Sequence, residues 1–371
     1  MKITGAVLEH SGATSDFRTA RPLTLSEVEL AAPGPNEVLV RVDAAGVCHS
    51  DLSVVNGSRR RPLPMLLGHE ASATVLETGR DVTDLPAGSR VVATFLPRCG
   101  LCAACATDGR LPCALGTNAN TEGVLFDGGS RLSRGGVAVA HHLGVSAFAT
   151  HAVVDRRSIV PVGDDIPADV AALLGCAVLT GGGAVLNVRP PRKGDTVAVI
   201  GLGGVGMAAL MVAVAAADCR VIAVDTLETK IDQARELGAD EALTPQQAAE
   251  AAVSADLVVE AAGHPRAFET ALGLAAPGAM VVTVGLPAPN ATAQVTPLDI
   301  TSRALSVVGS YLGSALPSRD IPRYAQQWRE GRLPLEKLIS SRIRLHQINE
   351  AMDRLARGEE IRQIITFGDT P

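Results

Sequence analysis

The sequence predicts an α/β protein of two domains, a mainly-β domain followed by a doubly wound parallel sheet. Up to about residue 175 the chain is a succession of short strands separated by turn residues, and from about residue 180 it alternates strand and helix. Apolar residues make up 47% of the 371 positions and aromatic residues only 2%, so Ala, Val, Leu and Gly must fill the cores, as suits layered α/β packing. The length is ample for two domains.

In the first region Glu37-Val38-Leu39-Val40-Arg41-Val42 alternates as a half-buried strand does, and 73–77 and 89–93 read as further strands. Turn chemistry at Pro33-Gly34-Pro35-Asn36 and Pro86-Ala87-Gly88 separates them. In the second region strands are expected at 197–200, 221–225, 257–260 and 280–285, with helices starting near Gly206, Glu228 and Pro265. That alternation predicts a parallel sheet with helices on both faces. After about residue 315 helical segments and a last strand at 361–367 are expected to pack back on the first domain. The domain assignment is 1–178, with a cysteine lobe at about 95–115, then 179–315, then the returning segment 316–371.

Residues 196–217 carry no charge and are long enough to suggest a membrane span. The β-branched run Thr196-Val197-Ala198-Val199-Ile200 is, however, interrupted by Gly201-Leu202-Gly203-Gly204-Val205-Gly206, so a buried strand, turn and helix explain it better. The N-terminus has no apolar signal core behind Lys2, and a soluble, cytoplasmic protein is expected. A net charge of -6 argues against a nucleic-acid partner, and Arg59-Arg60-Arg61 is too short a basic cluster to reverse that.

Seven cysteines in such a chain read as metal ligands rather than as a disulfide scaffold. Cys99, Cys102, Cys105 and Cys113 form a C-x2-C-x2-C-x7-C run that can close a tetrahedral zinc shell alone, the pattern of a structural site. Cys48, His69 and Cys176 come from distant parts of the chain, supply three ligands and leave a fourth position open, the catalytic pattern. Cys219 reads as a buried small hydrophobe.

Gly201-x-Gly203-x-x-Gly206 follows a strand and opens a helix, where the glycines permit a tight turn, close approach of backbone to a pyrophosphate, and close helix–strand packing. Asp225 ends the next strand, where its carboxylate can accept from both ribose hydroxyls and disfavours a 2′-phosphate, pointing to NAD rather than NADP. The alternative is that the glycines serve packing alone and Asp225 caps a helix. A zinc held by two thiolates and an imidazole lowers the pKa of an alcohol, and a nicotinamide accepts the hydride that such an alcohol releases. The two motifs make one reaction.

Taken together, Gly46-Val47-Cys48-His49-Ser50-Asp51, Gly68-His69-Glu70, the four-cysteine lobe, Leu174-Gly175-Cys176, the glycine turn and Ile361-Arg362 resemble the zinc-dependent alcohol dehydrogenases of the medium-chain dehydrogenase/reductase superfamily, nearly end to end. The resemblance implies a GroES-like catalytic domain and a Rossmann domain. It implies two zinc ions per subunit, one held by Cys48, His69 and Cys176 and one by the lobe cysteines. Asp51 would hold the second nitrogen of His69, and Glu70 would lie close to the metal as a tuning or transient ligand, or serve as a plain ion-pair partner. Ser50 would accept the alcohol proton, with an ordinary helix cap as its alternative role. His49 and Arg362 would lie near the cofactor pyrophosphate and Lys230 near the adenosine ribose. Gly201, Gly203, Gly204, Val205 and Gly206 would form the cofactor turn, with Val284 and Leu286 completing the cofactor site.

Substrate positions implied by the resemblance are Phe95, His142, Leu143, Leu286 and Tyr311, with Arg59 nearer the mouth; His142 could equally be a loop histidine turned to solvent. Such an apolar lining suits a primary aliphatic or aromatic alcohol or its aldehyde. The motif pattern is closest to the class III branch, which oxidises a formaldehyde adduct of glutathione using an acid in the loop after the first motif and an arginine after the lobe. Here those stretches read Asn56-Gly57-Ser58-Arg59 and Cys113-Ala114-Leu115-Gly116-Thr117, without either charge. A glutathione adduct is therefore disfavoured, and an S-(hydroxymethyl)thiol is the alternative substrate. A non-catalytic NAD-binding sensor is the alternative of another class, against which the retained ligands and Ser50 speak. The family also implies a homodimer or homotetramer.

Many relatives carry a histidine three positions after the relay serine, where this chain has Ser53. Rates are expected to fall more steeply at low pH than in relatives with that histidine. A pH–rate profile unaltered by Ser53→His would contradict this.

Overall fold

The structure, a computed structural model, describes residues 1–14, 16–216 and 218–367. It contains two compact units. The first comprises Met1–Cys176, Pro317–Ala325 and the chain from Ile339 onward, and the second comprises Ala177–Leu316 and Gln326–Leu338.

In the first unit, strands Lys2–Leu8, Leu23–Leu30, Leu132–Arg134, Val137–His141 and Met65–Leu66 close into a barrel in that order. A seven-stranded sheet runs Ile159–Pro161, Arg90–Ala93, Glu70–Thr78, Glu37–Val47, Arg362–Thr366, Ile339–Ile343, with His151–Asp155 also paired to Glu37–Val47. Val38, Val40 and Val42 of the long strand are buried with Ala71, Ala73, Val75 and Val91 in one apolar core, the alternation that the sequence carries. The strand expected at 37–42 continues to Val47 through Ala44, Ala45 and Gly46, which take the antiparallel pairing on to Ser72, Ala71 and Glu70.

The second unit holds a six-stranded, wholly parallel sheet in the order Glu241–Leu243, Arg220–Val224, Thr196–Ile200, Ala255–Glu260, Ala275–Thr283, Ser306–Gly309. In chain order that is third, second, first, fourth, fifth, sixth, the doubly wound arrangement. The central strands are near-continuous apolar runs because helices cover both faces. The helix Gly204–Ala216 is buried through most of its length, so the uncharged stretch at 196–217 is strand, turn and core helix as far as it is described. A different helical run, Ala168–Val188, is long and apolar enough to cross a membrane, but 89% of its apolar window is buried inside the protein.

The segment 316–371 is divided rather than whole. Gln326–Leu338 belongs to the second unit, with Leu333, Leu335 and Leu338 buried. Arg362–Thr366 pairs antiparallel with Glu37–Val47 and parallel with Ile339–Ile343 in the first.

Asp353 ties the N-terminal region to the returning chain, its Oδ1 accepting the Phe17 N–H at 2.7 Å and its Oδ2 the Arg18 N–H at 2.9 Å. Removing this carboxylate strands two backbone donors, one of them buried. Asp353→Ala is expected to cost about 2–3 kcal/mol, read as a lowered urea midpoint; an unchanged midpoint would show that water replaces the carboxylate.

Candidate functional site

The first site is assembled at the end of the seven-stranded sheet. Glu37–Val47 runs directly into Cys48 and the short helix His49–Val55, whose first turn carries Asp51. Asp51 Oδ2 turns back to accept the Cys48 N–H at 3.0 Å, the reverse half of a capping box. Gly68 precedes His69 with φ +92°, and a Cβ there would fall 2.5 Å from the Phe148 nitrogen. Only glycine fits that turn, which delivers His69 and Glu70 to the start of the strand Glu70–Thr78. Cys176 lies in a π-helical turn, Leu174–Val178, a rare geometry frequent at functional sites. A Cβ on Gly175 would meet the Ala93 oxygen at 1.9 Å, so glycine lets this turn lie against the sheet.

Cys48, His69, Glu70 and Cys176 are all buried and present ligand atoms within 4.8 Å of one another. His69 Nε2 lies 3.5 Å from Cys176 Sγ, while Nδ1 lies 3.1 Å from Asp51 Oδ1. The same Asp51 oxygen accepts the Gly68 N–H at 3.3 Å. The rings of Phe95 and His142 stand edge-on to His69 at centroid distances of 5.7 and 5.4 Å.

A hydrogen bond from Cys176 holds the Cys48 thiol well below its usual pKa despite burial, with Arg362 and His69 adding to the effect. The same bond, with burial, pushes Cys176 well up. Burial opposes the charge on Asp51, but the His69 and His142 rings outweigh it and keep its pKa low. Burial likewise opposes a charged His69, and Asp51 and Cys48 overcome it to raise its pKa. Glu70 is pushed up to about 7, chiefly by burial. Neither Glu70 oxygen has a hydrogen-bond partner, and Arg362 Nε lies 3.3 Å from Oε1 without alignment for one. Two thiols and an imidazole nitrogen, with an unsatisfied carboxylate beside them, fit zinc by donor chemistry.

The second cluster is Cys99, Cys102, Cys105 and Cys113, again with all ligand atoms within 4.8 Å. The backbone N–H groups of Leu101 and Cys102 point at Cys99 Sγ, and that of Cys99 at Cys113 Sγ. Such donors favour thiolate; those of Ala114 and Cys105 bring Cys102 down to about 6, whereas burial pushes Cys105 up to about 11. Four thiols in fifteen residues fit a tetrathiolate zinc.

In the second unit, Gly201 has φ +86° and its missing Cβ would lie 2.6 Å from the Ala262 nitrogen; one on Gly206 would lie 1.8 Å from the Gly201 oxygen. Nothing stands within 4 Å of the Cβ position at Gly203, leaving open space against the turn at the N-terminus of the 13-residue helix Gly204–Ala216. That cradle fits a dinucleotide's phosphates. Asp225 Oδ2 accepts the Leu202 N–H of the turn at 2.6 Å and Oδ1 the Leu227 N–H at 3.0 Å. Lys230 is buried, which lowers its pKa against the attraction of Asp225. Val284 is buried, Leu286 is 47% exposed and Tyr311 is half-buried.

The remaining expected site residues differ in their surroundings. Ser50 is half-buried and His49 exposed on the first turn of their helix, and Ser53 Oγ donates to the His49 carbonyl at 2.8 Å. Arg362, expected at the pyrophosphate, is enclosed in an ion pair with Glu70, with no hydrogen bond to its Nε or Nη2. Leu143 is buried with φ +53°, and Arg59 is half-buried. His142 corrects one alternative: it is not turned to solvent, but 1% exposed with Nδ1 3.1 Å from Asp51 Oδ1. Sequence reading missed Glu260, a buried carboxylate accepting the Gly263 N–H and the Thr283 hydroxyl, each at 2.7 Å. Its signal was an acid closing the apolar run Leu257-Val258-Val259.

The alcohol dehydrogenase GroES-like domain family matches residues 34–164, and the zinc-binding dehydrogenase family residues 204–329. The chain belongs to the zinc-dependent alcohol dehydrogenases of the medium-chain dehydrogenase/reductase superfamily. Among such dehydrogenases it is 33% identical to the class-P alcohol dehydrogenase of Arabidopsis thaliana, across 99% of this chain and 100% of that one. It is 37% identical to the geraniol dehydrogenase of Castellaniella defragrans, across 95% and 99%. The crystal structure of benzyl alcohol dehydrogenase from Acinetobacter calcoaceticus superposes with a TM-score of 0.90 at 28% identity, across 99% and 100%.

In this dehydrogenase a raised Glu70 has a definite linkage. A carboxylate whose folded pKa exceeds its unfolded value of about 4.3 contributes stability that is full below that value and lost as pH rises through the folded pKa. In metal-free protein Glu70→Gln should therefore gain on the parent more at pH 8 than at pH 5, measured by urea denaturation; equal differences would show that Glu70 titrates normally.

Proposed function

We propose that the enzyme reversibly oxidises a primary alcohol, aliphatic or aromatic, to its aldehyde, with NAD taking up the hydride and one proton released. The observation that carries this reading is the convergence of Cys48, His69 and Cys176 within one buried cluster whose imidazole is held by Asp51. These three residues would hold a catalytic zinc, Glu70 would adjust its surroundings, and Cys99, Cys102, Cys105 and Cys113 would hold a structural one. Bound zinc supplies Lewis acidity that lowers an alcohol's pKa, and the nicotinamide supplies the hydride acceptor.

The protein's own groups do the rest. Asp51 accepts from His69 Nδ1, which fixes the tautomer that leaves Nε2 free to ligate. Ser50 would receive the alcohol proton. Gly201, Gly203, Gly204, Val205 and Gly206 would take the pyrophosphate at the helix N-terminus. Asp225, anchored by two backbone N–H groups at the end of its strand, selects ribose over a 2′-phosphate, with Lys230 beside it. Val284 and Leu286 complete the cofactor site. Phe95, set against His69, offers an apolar wall for the substrate's tail, and the geraniol and benzyl alcohol specificities in the names of two similar enzymes support such a tail. The exposed edge strand Ser306–Gly309 supports a homodimer or homotetramer. Cysteines outside any disulfide suit the cytoplasm.

Formation of NADH across ethanol, hexanol, benzyl alcohol, cinnamyl alcohol and hydroxymethyl-glutathione tests the reading. Long-chain or aromatic alcohols should turn over with NAD and poorly with NADP. Cys48→Ser should be inactive, and Ser50→Ala should lower kcat by about 100-fold or more. Turnover of the thiol adduct alone would overturn the substrate class, and an active Cys48→Ser enzyme would overturn the metal assignment.

A further inference from the structure

Resting on the assignment of Cys48, His69 and Cys176 as metal ligands, the geometry points to His142 as a positioning residue of that centre, a second imidazole bracing Asp51 and the His69 ring. Its Nδ1 lies 3.1 Å from Asp51 Oδ1, the oxygen that His69 Nδ1 also faces at 3.1 Å. Its ring meets the His69 ring perpendicularly, with centroids 5.4 Å apart. Phe95 makes the matching contact at 5.7 Å and 84°. His69 is thus confined by two crossed rings and one carboxylate, with Nε2 left toward Cys176.

Asp51 is the joint through which this confinement reaches the ligands. It holds Cys48 by the backbone N–H and His69 by the ring, so any rotation of its carboxylate loosens both. His142 approaches the same oxygen out of line for a hydrogen bond, so that its contact with Oδ1 is electrostatic and steric. It is itself fixed: its N–H donates to Ser146 Oγ at 3.0 Å, and its carbonyl accepts the Val145 and Ser146 N–H groups. Asp51, His69 and His142 also lie close enough to suggest a metal group of their own. Asp51 already accepts from the Cys48, Gly68 and His69 N–H groups, however, and both imidazole Nδ1 atoms face the same oxygen, so a cation there would displace the contact that orients His69. Bracing is the role that remains.

His142→Phe keeps the crossed-ring packing and removes the nitrogen, whereas His142→Gln keeps a polar group that can reach Asp51. The test is the rate at which a chelator removes zinc from the purified enzyme, with Cys48→Ser identifying the catalytic-site equivalent. The visible spectrum of cobalt placed at that site is a second readout. Loss of a residue supporting a metal ligand typically weakens binding about 10–100-fold. His142→Phe should release the Cys48-dependent metal faster by that factor and shift the cobalt bands, with the lobe metal unaffected; His142→Gln should restore most of the retention. Unchanged release in His142→Phe, parallel loss of both metals, or no rescue by His142→Gln would each overturn the brace. A parent enzyme with no Cys48-dependent metal would overturn the ligand assignment itself, and the brace with it.

Discussion

A carboxylate with no solvent exposure is costly unless its oxygens are engaged, and Asp51 meets that condition with three donors from two separate pieces of chain. It accepts the Cys48 N–H, the Gly68 N–H and the His69 ring N–H. Register makes the gathering possible. Gly46 pairs with Glu70 across the two longest strands of the sheet, so Cys48 and His69 emerge side by side at its end. Gly46 leaves room for the Glu70 carboxyl, which lies 2.5 Å from where its Cβ would stand, so a larger residue would displace that side chain. Ala71 pairs onward with Ala93, and Gly175 rests on the Ala93 oxygen, which brings Cys176 to the same end.

The charge balance of this end follows from its burial. Asp51, Glu70 and the low-pKa Cys48 sit with Arg362 and a high-pKa His69, and all five are buried. Arg362 is delivered by the strand Arg362–Thr366, which pairs on Gly46 and its neighbours. Glu70 and Arg362 keep unpartnered polar atoms although they face each other. A divalent cation held by the two sulfurs and the imidazole nitrogen would lie beside the Glu70 carboxylate, whose oxygens have no hydrogen-bond partner.

Much of this was legible because it is local or periodic. The strand alternation at 37–42, the apolar strands of the parallel sheet and the glycine turn each state their structure in a few residues. The cysteines and His69 announce themselves by residue type, and the fold then brings them together. What escaped depends on tertiary surroundings. His142 reads as a substrate-pocket position or a loop residue turned to solvent, because nothing in Ala140-His141-His142-Leu143 indicates that Asp51 lies beside it. Arg362 and Glu70 are nearly three hundred positions apart, and only the sheet pairing joins them. The division of 316–371 turns on Leu333, Leu335 and Leu338, whose burial against the second unit no periodicity specifies. The helical run Ala168–Val188 is apolar on every side, so it offers no stripe by which to orient it.

The two cysteine clusters differ in how far they depend on the fold. The lobe spans fifteen residues, three of its cysteines are partly exposed, and backbone N–H groups within the same loop aim at its sulfurs. Metal and loop there can order each other, since binding free energy becomes folding free energy in a segment with little core of its own. The buried cluster has the opposite dependence. Its ligands are separated by 21 and 107 positions and converge only when the sheet register, the Gly68 turn and the π-helical turn at Cys176 are in place. It is therefore preorganised by the sheet, and a ligand geometry set by the fold can leave one position of the metal open, where a geometry set by the metal would close it.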